Sequence, residues 1–377
     1  MKNKSLLYIS FSNYSSDGRT IELIKHLSKK IKINLICYSS SKLTNQKNLQ
    51  ITVLYQKSFI LRLFWFVYQT LKNIRKFNIV FIDNRKSALV SFLLFPFLKN
   101  KLIIQDMREF YTLNEHRSII SRTGTLIEGL MLKRSNIIIT ANKQRARLSK
   151  KLHKLKSTPL VYENRRSFKI NKNINKSFIN DLEDQIKNKI INIEENKINL
   201  VSSSGFTIER GCMRVVKGVE KNNDIASLYF VGKTSNKNKS FLKNYILKNN
   251  INNVFLIDSL PLKKLYSFLL KMQVGIVNYS DSNRNNIYCA SGKIYEFLSI
   301  GIPVLCTENF PLKEIILNKY GISNNNFKQS IYEISKNYSF FKNSAILFNS
   351  KILIDNYNKV FVDNLISKIE KYYVEKK

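Results

Sequence analysis

Short β-branched runs alternate with helical stretches from one end of the chain to the other, and this alternation limits the fold more than any other feature. It is the pattern of a parallel α/β protein, in which each strand is carried back to its starting edge by a helix. In the first half the spacing predicts strands at 6–10, 33–38, 79–83, 102–105, 137–140 and 160–162. Helices are predicted between them at 19–30, 60–75, 86–98, 119–133 and 143–155. Runs such as Asn78-Ile-Val-Phe-Ile82 lack polar alternation and suit strands covered on both faces. Residues 167–199 then change character, being rich in Asn, Lys and Glu, with a solvated helix expected at 178–191. A second series follows, with strands at 198–203, 225–231, 254–257, 274–277 and 303–306. Its helices are expected at 211–220, 239–248, 262–271, 292–300 and 312–317, and residues 350–373 have the spacing of a terminal helix. The expectation is two doubly wound domains, 1–166 and 198–350, a linker region at 167–197, and a helix at 351–377 packing back on the first domain. Two such domains imply a cleft where the carboxyl ends of both sheets converge.

Charge and cysteine usage narrow the function. Of 377 residues, 63 are Lys or Arg and 26 Asp or Glu, a formal charge of +37, while 44% are hydrophobic, so the charge does not signal disorder. Residues 1–170 hold 33 basic and 8 acidic side chains, net +25; residues 171–377 hold 30 and 18, net +12. The abundance of Asn, Lys and Ile points to an A+T-rich genome, which accounts for the sum more readily than for the asymmetry. The cysteines (Cys37, Cys212, Cys289, Cys306) form no C-x-x-C pair, and the histidines (His26, His116, His153) no H-E-x-x-H. Zinc ribbons, a disulfide framework and a protein-held catalytic metal are therefore not expected. No two glycines stand one residue apart, so G-x-G-x-x-G is absent, and Leu130 occupies the lysine position after Gly124 and Gly129. Dinucleotide dehydrogenase and P-loop NTPase are poor readings. The longest apolar stretches, 59–68 and 88–98, are interrupted by Arg62 and Pro96 and fall short of the roughly 20 residues that span a bilayer. With no signal peptide visible, a cytoplasmic protein is expected.

The segment Ala290-Ser-Gly-Lys-Ile-Tyr-Glu-Phe-Leu-Ser-Ile-Gly-Ile-Pro-Val-Leu305 carries the most chemistry. Ile294, Phe297 and Leu298 share one helical face, Gly301 is a natural stop, and Pro303 opens the next strand. Ser291 and Gly292 stand at the helix start, where free N–H groups and the helix dipole favour an anion such as a diphosphate. Glu296, one turn in, is placed to accept hydrogen bonds from a ribose diol, and Lys293 adds a positive charge. The plainer alternatives are a solvated helix glutamate at 296 and an ordinary cap at 291.

This segment resembles the donor-site motif of family 4 glycosyltransferases. Ser203-Ser-Gly-Phe-Thr-Ile-Glu-Arg-Gly211 is similar to that family's strand, glycine loop and basic-Gly pair opening the second domain. Further pieces agree in order: Ser16-Asp-Gly-Arg-Thr20, Leu102-Ile-Ile-Gln-Asp-Met-Arg-Glu-Phe-Tyr111, Val161-Tyr-Glu-Asn164 and Gln273-Val-Gly-Ile-Val-Asn278. The resemblance implies a GT-B fold and retaining transfer from a nucleoside-diphosphate sugar, with no cofactor beyond that co-substrate and no required metal. It implies donor binding by Gly205, Arg210, Ser291, Gly292, Lys293 and Glu296, with Lys217 or Lys293 as a second cation for the diphosphate. One departure stands out: Tyr288 occupies the place of a first glutamate that contacts the transferred sugar. Many relatives with the Lys-Ile-Tyr-Glu form share that change, which therefore does not imply loss of activity. Nucleotide-sugar epimerases share the fold and stay open as an alternative.

In the first half, Asp106 and Glu109 are the acidic candidates for positioning the acceptor or taking its proton, with Arg108 between them. The alternative is a surface ion-pair cluster with Arg108 and Arg117. Asp17 and Arg19 are expected simply to cap and start a helix; His116 could substitute in the proton-taking role, but a lone histidine is more often structural and it is left out of the site. The aromatic helix at 60–75, with Trp65 and Tyr68 beside Arg62, Lys72, Arg75 and Lys76, would suit an anionic membrane surface, as would the basic helix at 143–155. The expected partners are thus a nucleotide sugar, a glycan or lipid-linked acceptor and the inner face of the cytoplasmic membrane. Nucleic acid is not expected, because no zinc finger, RNP sequence or basic heptad region accompanies the charge.

Overall fold

The computed structural model describes residues 5–55, 58–116, 118–165, 193–317, 319–351 and 354–376. The chain divides into two compact units, Met1–Asn164 with Ile354–Lys377, and Arg165–Leu353. The helix expected at 178–191 and most of the linker region lie outside the described residues.

The first unit has strands β1 (Ser5–Asn13), β2 (Lys32–Tyr38), β3 (Leu49–Leu54), β4 (Ile79–Asp83), β5 (Leu102–Met107), β6 (Ile137–Thr140) and β7 (Leu160–Val161). Between them run α1 (Gly18–Leu27), α2 (Phe59–Ile74), α3 (Asn84–Leu93), α4 (Ile119–Arg134) and α5 (Lys143–His153). The strands form one parallel sheet in the order β3-β2-β1-β4-β5-β6-β7. The order reverses between β1 and β4, so the crevice at their carboxyl ends is where such a sheet takes a ligand. Strand β3 is an addition to the predicted set; its neighbours Asn45 and Asn48 read as loop, and the run itself is half exposed at an edge. The helix predicted at 86–98 stops at Leu93 and resumes as a 3-10 turn at Phe95–Leu98, because Pro96 supplies no N–H.

Each face of this sheet has its own core. Phe66, Ile74, Ala88, Val90 and Met131 bring α2, α3 and α4 onto one face. Leu23, Ile24 and Leu27 of α1 cover the other, together with Phe361, Val362, Leu365 and Ile369 of the last helix, Ile354–Glu375. The hydroxyl of Tyr357 fastens that helix, accepting from Glu163 N at 2.7 Å and donating to Val161 O at 3.2 Å.

The second unit contains β8 (Ile198–Ser202), β9 (Ala226–Val231), β10 (Val254–Ile257), β11 (Val274–Val277), β12 (Val304–Cys306) and β13 (Gly321–Ser323). Its helices are α6 (Cys212–Glu220), α7 (Asn236–Lys248), α8 (Leu262–Leu270), α9 (Arg284–Ile287), α10 (Gly292–Ser299), α11 (Phe310–Ile316), α12 (Phe327–Lys336) and α13 (Tyr338–Lys351). The parallel sheet runs β10-β9-β8-β11-β12-β13, reversing between β8 and β11. Strand β13 was not predicted: at three residues it is too short to show a period. Among the described residues, no helix is long and apolar enough to cross a membrane.

Candidate functional site

In the second unit the predicted donor residues gather at the carboxyl edge of the sheet. Gly205 follows β8 with φ +74° and lies against the chain after β9: a Cβ there would stand 2.3 Å from Lys233 O. Gly232 faces it with φ +132°, its own Cβ position 3.0 Å from Gly205 N, and Gly205 N donates to Val231 O at 3.0 Å. Two loops thus touch backbone to backbone, which only glycine permits at this distance. Next comes the 3-10 turn Ile208–Arg210, ended by Gly211 at φ +80°. Asn278 Nδ2 donates to Arg210 O at 3.0 Å, and Ser280 Oγ to Glu209 O at 2.7 Å. The loop after β8 is therefore tied to the loop after β11, across the point where the strand order reverses. The Arg210 side chain is exposed, with its guanidinium carbon 5.4 Å from the centre of the Tyr279 ring.

Helix α10 begins at the same edge. Ser291 is its N-cap residue and is buried, yet its side chain makes no capping hydrogen bond, so it is not the ordinary cap of the plainer reading. Gly275 in β11 lets the helix sit close, since a Cβ there would lie 2.4 Å from the Phe297 ring. Gly301, at φ +71°, ends the turn, and Ile302 N donates to Phe297 O at 3.0 Å. Glu296 is buried, 7% exposed, which sets aside the solvated-glutamate alternative. Lys293 Nζ donates to its Oε2 at 2.6 Å. That contact turns the lysine along the helix toward Glu296 rather than out in front of the helix start. Lys217, the other candidate second cation, is exposed in the second turn of α6. Each residue of α6 rises about 1.5 Å away from the carboxyl edge, which leaves Lys217 well behind Arg210. Lys233, exposed and beside Gly205, is a cation at this edge that the sequence reading passed over.

In the first unit the register decides the outcome. Ser10 pairs with Asp83 and Asp83 with Asp106, so two carboxylates end up side by side beneath the strand ends. Asp106 is 0% exposed and receives Arg19 on both oxygens, Nη2 to Oδ1 at 2.9 Å and Nε to Oδ2 at 3.1 Å. Arg19 also donates to Tyr162 O and lies over the Tyr162 ring. Arg108 bridges Asp17, Thr20 and Asp83, the last with Nη2 2.5 Å from Oδ1, and Ser10 Oγ donates to Asp83 Oδ2 at 2.6 Å. This corrects three expectations. Asp106 positions Arg19 and does not meet an acceptor; the cluster is buried, not a surface one; and Arg19 does more than start a helix. Asp17 does cap α1, accepting from Thr20 N at 3.2 Å, and the Arg108 guanidinium beside it holds its carboxyl below the usual range despite burial. Asp83 has its carboxyl pushed up to about 6, chiefly by burial. Arg117 lies outside the described residues.

Glu109, just beyond β5, is exposed. Its charge acts on two groups of a second cluster, His116 and Glu128. Arg85 Nε donates to Glu128 Oε2 at 3.0 Å, and Arg85 Nη1 approaches His116 Nε2 at 3.4 Å. Thr125 Oγ1 is 2.7 Å from the same nitrogen, and the Tyr111 ring lies 5.0 Å from the imidazole. Arginine has no lone pair to offer, so Nε2 faces it as acceptor and the imidazole proton belongs on Nδ1. Burial, then Arg85, lowers the His116 pKa, while burial raises Glu128 to about 7. The sequence reading left His116 out of the site as more often structural. The fold ties it to Arg85, which lies at the start of α3 and gave no signal in its own segment.

No family model matches the chain, and no curated protein sequence does. Solved structures do. Sucrose-phosphate synthase from Thermosynechococcus elongatus superposes with TM-score 0.74 at 11% identity, over 99% of this chain and all of that one. HepE of Anabaena, solved in complex with UDP-glucose, gives 0.71 at 11% identity over 97% and 100%. WaaG, a glycosyltransferase involved in lipopolysaccharide biosynthesis, gives 0.67 at 10% identity over 95% and 98%. At such identities the likeness is one of architecture: two parallel-sheet α/β units that make up the GT-B fold.

Proposed function

We propose that this chain is a glycosyltransferase of the family 4 type, moving a sugar from a nucleoside-diphosphate sugar to a glycan or lipid-linked acceptor in bacterial surface polysaccharide synthesis. The reading rests above all on the start of α10. There, an N-cap serine without a capping bond, a glycine and a buried glutamate one turn in share an edge with Gly205 and Arg210. A diphosphate fits the free N–H groups of Ser291 to Ile294, with Arg210 as its counter-charge. Glu296 lies four residues along from Gly292, about 6 Å, and its carboxylate is suited to a ribose hydroxyl. Lys293 orients that carboxylate.

In this reading the leaving diphosphate is stabilised by the fixed N–H dipoles and Arg210, which are in place before charge develops. Transfer would then retain configuration and survive EDTA. Glu109 and the neutral imidazole of His116 receive the acceptor, with the leaving phosphate as the base for its proton. The test is a thermal-shift panel of UDP-, GDP-, ADP- and CMP-linked sugars on wild type and Glu296→Ala. One nucleotide class should raise Tm in the wild type and not in the variant, whose own Tm is preserved. A full response in Glu296→Ala would remove the site assignment. Release of an epimerised sugar from donor alone would replace transfer by epimerisation.

A further inference from the structure

Between Glu22 and Asp106 the chain carries 15 Lys and Arg and one acid, Asp83. Asp83 is fully buried against Arg108, so the surface made by this stretch displays no carboxylate among the described residues. Helices α2, α3 and α4 lie side by side on one face of the first sheet. Each follows a strand of a parallel sheet, so all three start at its carboxyl edge, beside Glu109 and Arg108. Tyr68, Leu71, Leu93, Leu126 and Leu130 are exposed further along these helices, but six exposed apolar side chains stand together at the starts of α2 and α4. On α2 they are Phe59, Ile60, Leu61 and Phe64, the last 69% exposed; on α4 they are Ile119 and Ile120, 80% and 85% exposed. The helix of exposed Lys86 starts between them, and Arg122 follows on α4. Trp65, expected to face a membrane, instead packs against the core beside Phe66.

We propose that this edge docks on an anionic lipid bilayer, with the starts of α2 and α4 inserting at headgroup depth and the cations meeting lipid phosphates. Neighbouring helix axes are about 10 Å apart, so the two apolar starts stand about 20 Å from each other and contact a plane better than a groove. A second copy of this chain is a poor occupant, because two surfaces of the same sign would have to meet. A bilayer supplies both an apolar interior and negative charge. The acids described near this edge are few: half-buried Glu115 accepts from Thr112 N and Oγ1 at 2.6 and 2.8 Å, and exposed Glu109 stands at the loop after β5. An acceptor carried in the bilayer would then present its headgroup to Glu109 and His116. That last step rests on the transferase reading; the docking does not.

The experiment is co-sedimentation of the full chain with vesicles of phosphatidylcholine alone or mixed equally with phosphatidylglycerol. Binding is expected on the mixed vesicles at about 20 mM salt and should fall steeply by about 300 mM, where the Debye length is several times shorter. Phe64→Glu combined with Ile120→Glu should weaken binding by about tenfold or more. Both side chains are exposed, so Tm and the nucleotide-sugar thermal shift should stay with wild type. Wild type left in the supernatant at low salt would overturn the proposal, as would equal binding by the double variant. Light scattering that shows a dimer broken by these changes would assign the patch to a second copy. Glu296→Ala should sediment like wild type, so failure of the transferase reading would leave vesicle binding intact.

Discussion

Gly275→Ala tests whether the donor helix is placed by a contact that only glycine allows. The new methyl group would stand 2.4 Å from Phe297 Cγ and Cδ2, where carbon atoms normally keep about 3.5–4.0 Å. Relief requires Phe297, and α10 with it, to retreat by about 1 Å, because both residues are buried between strand and helix. Overpacking of this kind costs about 1–3 kcal/mol, which for a unit of this size lowers Tm by about 3–10 °C. The retreat also carries Ser291 and Glu296, so the thermal response to the nucleotide sugar should weaken by more than stability alone explains. Phe297→Leu reopens the space, so the double variant should lose less than the two single changes summed. Gly124→Ala is the control: its Cβ would meet only the flexible Arg85 chain at 3.3 Å, inside a helix where alanine is favoured by about 1 kcal/mol. Differential scanning fluorimetry, with and without donor, reads all four proteins. A Gly275→Ala protein within about 1 °C of wild type and with full donor response would refute the argument.

Asp106→Ala leaves Arg19 buried and unpaired and should cost about 3–5 kcal/mol by urea denaturation, far more than Glu109→Ala at the surface; equal costs would contradict the buried assignment. Glu109→Gln should lower turnover on acceptor while leaving the nucleotide-sugar thermal shift unchanged, and an altered shift would move Glu109 out of the acceptor role. Glu128, raised by burial to about 7 in the folded protein, binds its proton more tightly folded than unfolded. Its ionisation therefore opposes folding: stability from this group is full below the unfolded value near 4.5 and is lost as pH rises through about 7. Wild-type Tm should drop between about pH 4.5 and about pH 7 through this group, by the equivalent of up to about 3 kcal/mol, and Glu128→Gln should flatten that limb. An unchanged slope in the variant would show that Arg85 compensates the charge.

Much of the architecture could be read from the sequence because its strands are continuous apolar runs. Ile79–Asp83, Ile137–Thr140, Val254–Ile257 and Val274–Val277 begin and end where the periodicity places them. Two edge strands were harder: Leu49–Leu54 and Gly321–Ser323 are half exposed or short, so neither pattern nor length marks them. The donor segment was legible for a related reason. Its glutamate, glycine stop and proline are close in sequence, and one helix fixes their geometry. The charged centre of the first unit was not, because its members lie as far apart as Ser10, Asp83 and Asp106 and are joined only by strand register. Arg85 was missed likewise, and His116 was left out of the site, since a long-range contact leaves no trace in local spacing.

The two sheets reverse strand order in the same way but treat the resulting crevice differently, and that difference divides the labour between the units. In the second unit the crevice is bordered by Gly205, Gly232 and Gly211, by an uncapped helix start, and by the exposed Arg210. Those are features of a surface that can receive a diphosphate. In the first unit the same place is filled from within: Arg19 and Arg108 occupy it and are answered by Asp17, Asp83 and Asp106. Arg145, also buried, donates to Arg108 O behind them as a third guanidinium group. Arg19 and Arg108 are held by these carboxylates rather than turned out toward a phosphate. What stands beyond the strand ends of the first unit is Glu109, Tyr111 and His116 on the loop after β5, polar groups suited to hydroxyls rather than to phosphates. Replacing Asp83 by Asn removes one of the carboxylate charges that hold Arg108. If the internal filling is what keeps nucleotides out of the first unit, Asp83→Asn in a Glu296→Ala background should gain weak, salt-sensitive nucleoside-diphosphate binding by calorimetry. A silent titration would mean that packing, not charge, closes the crevice.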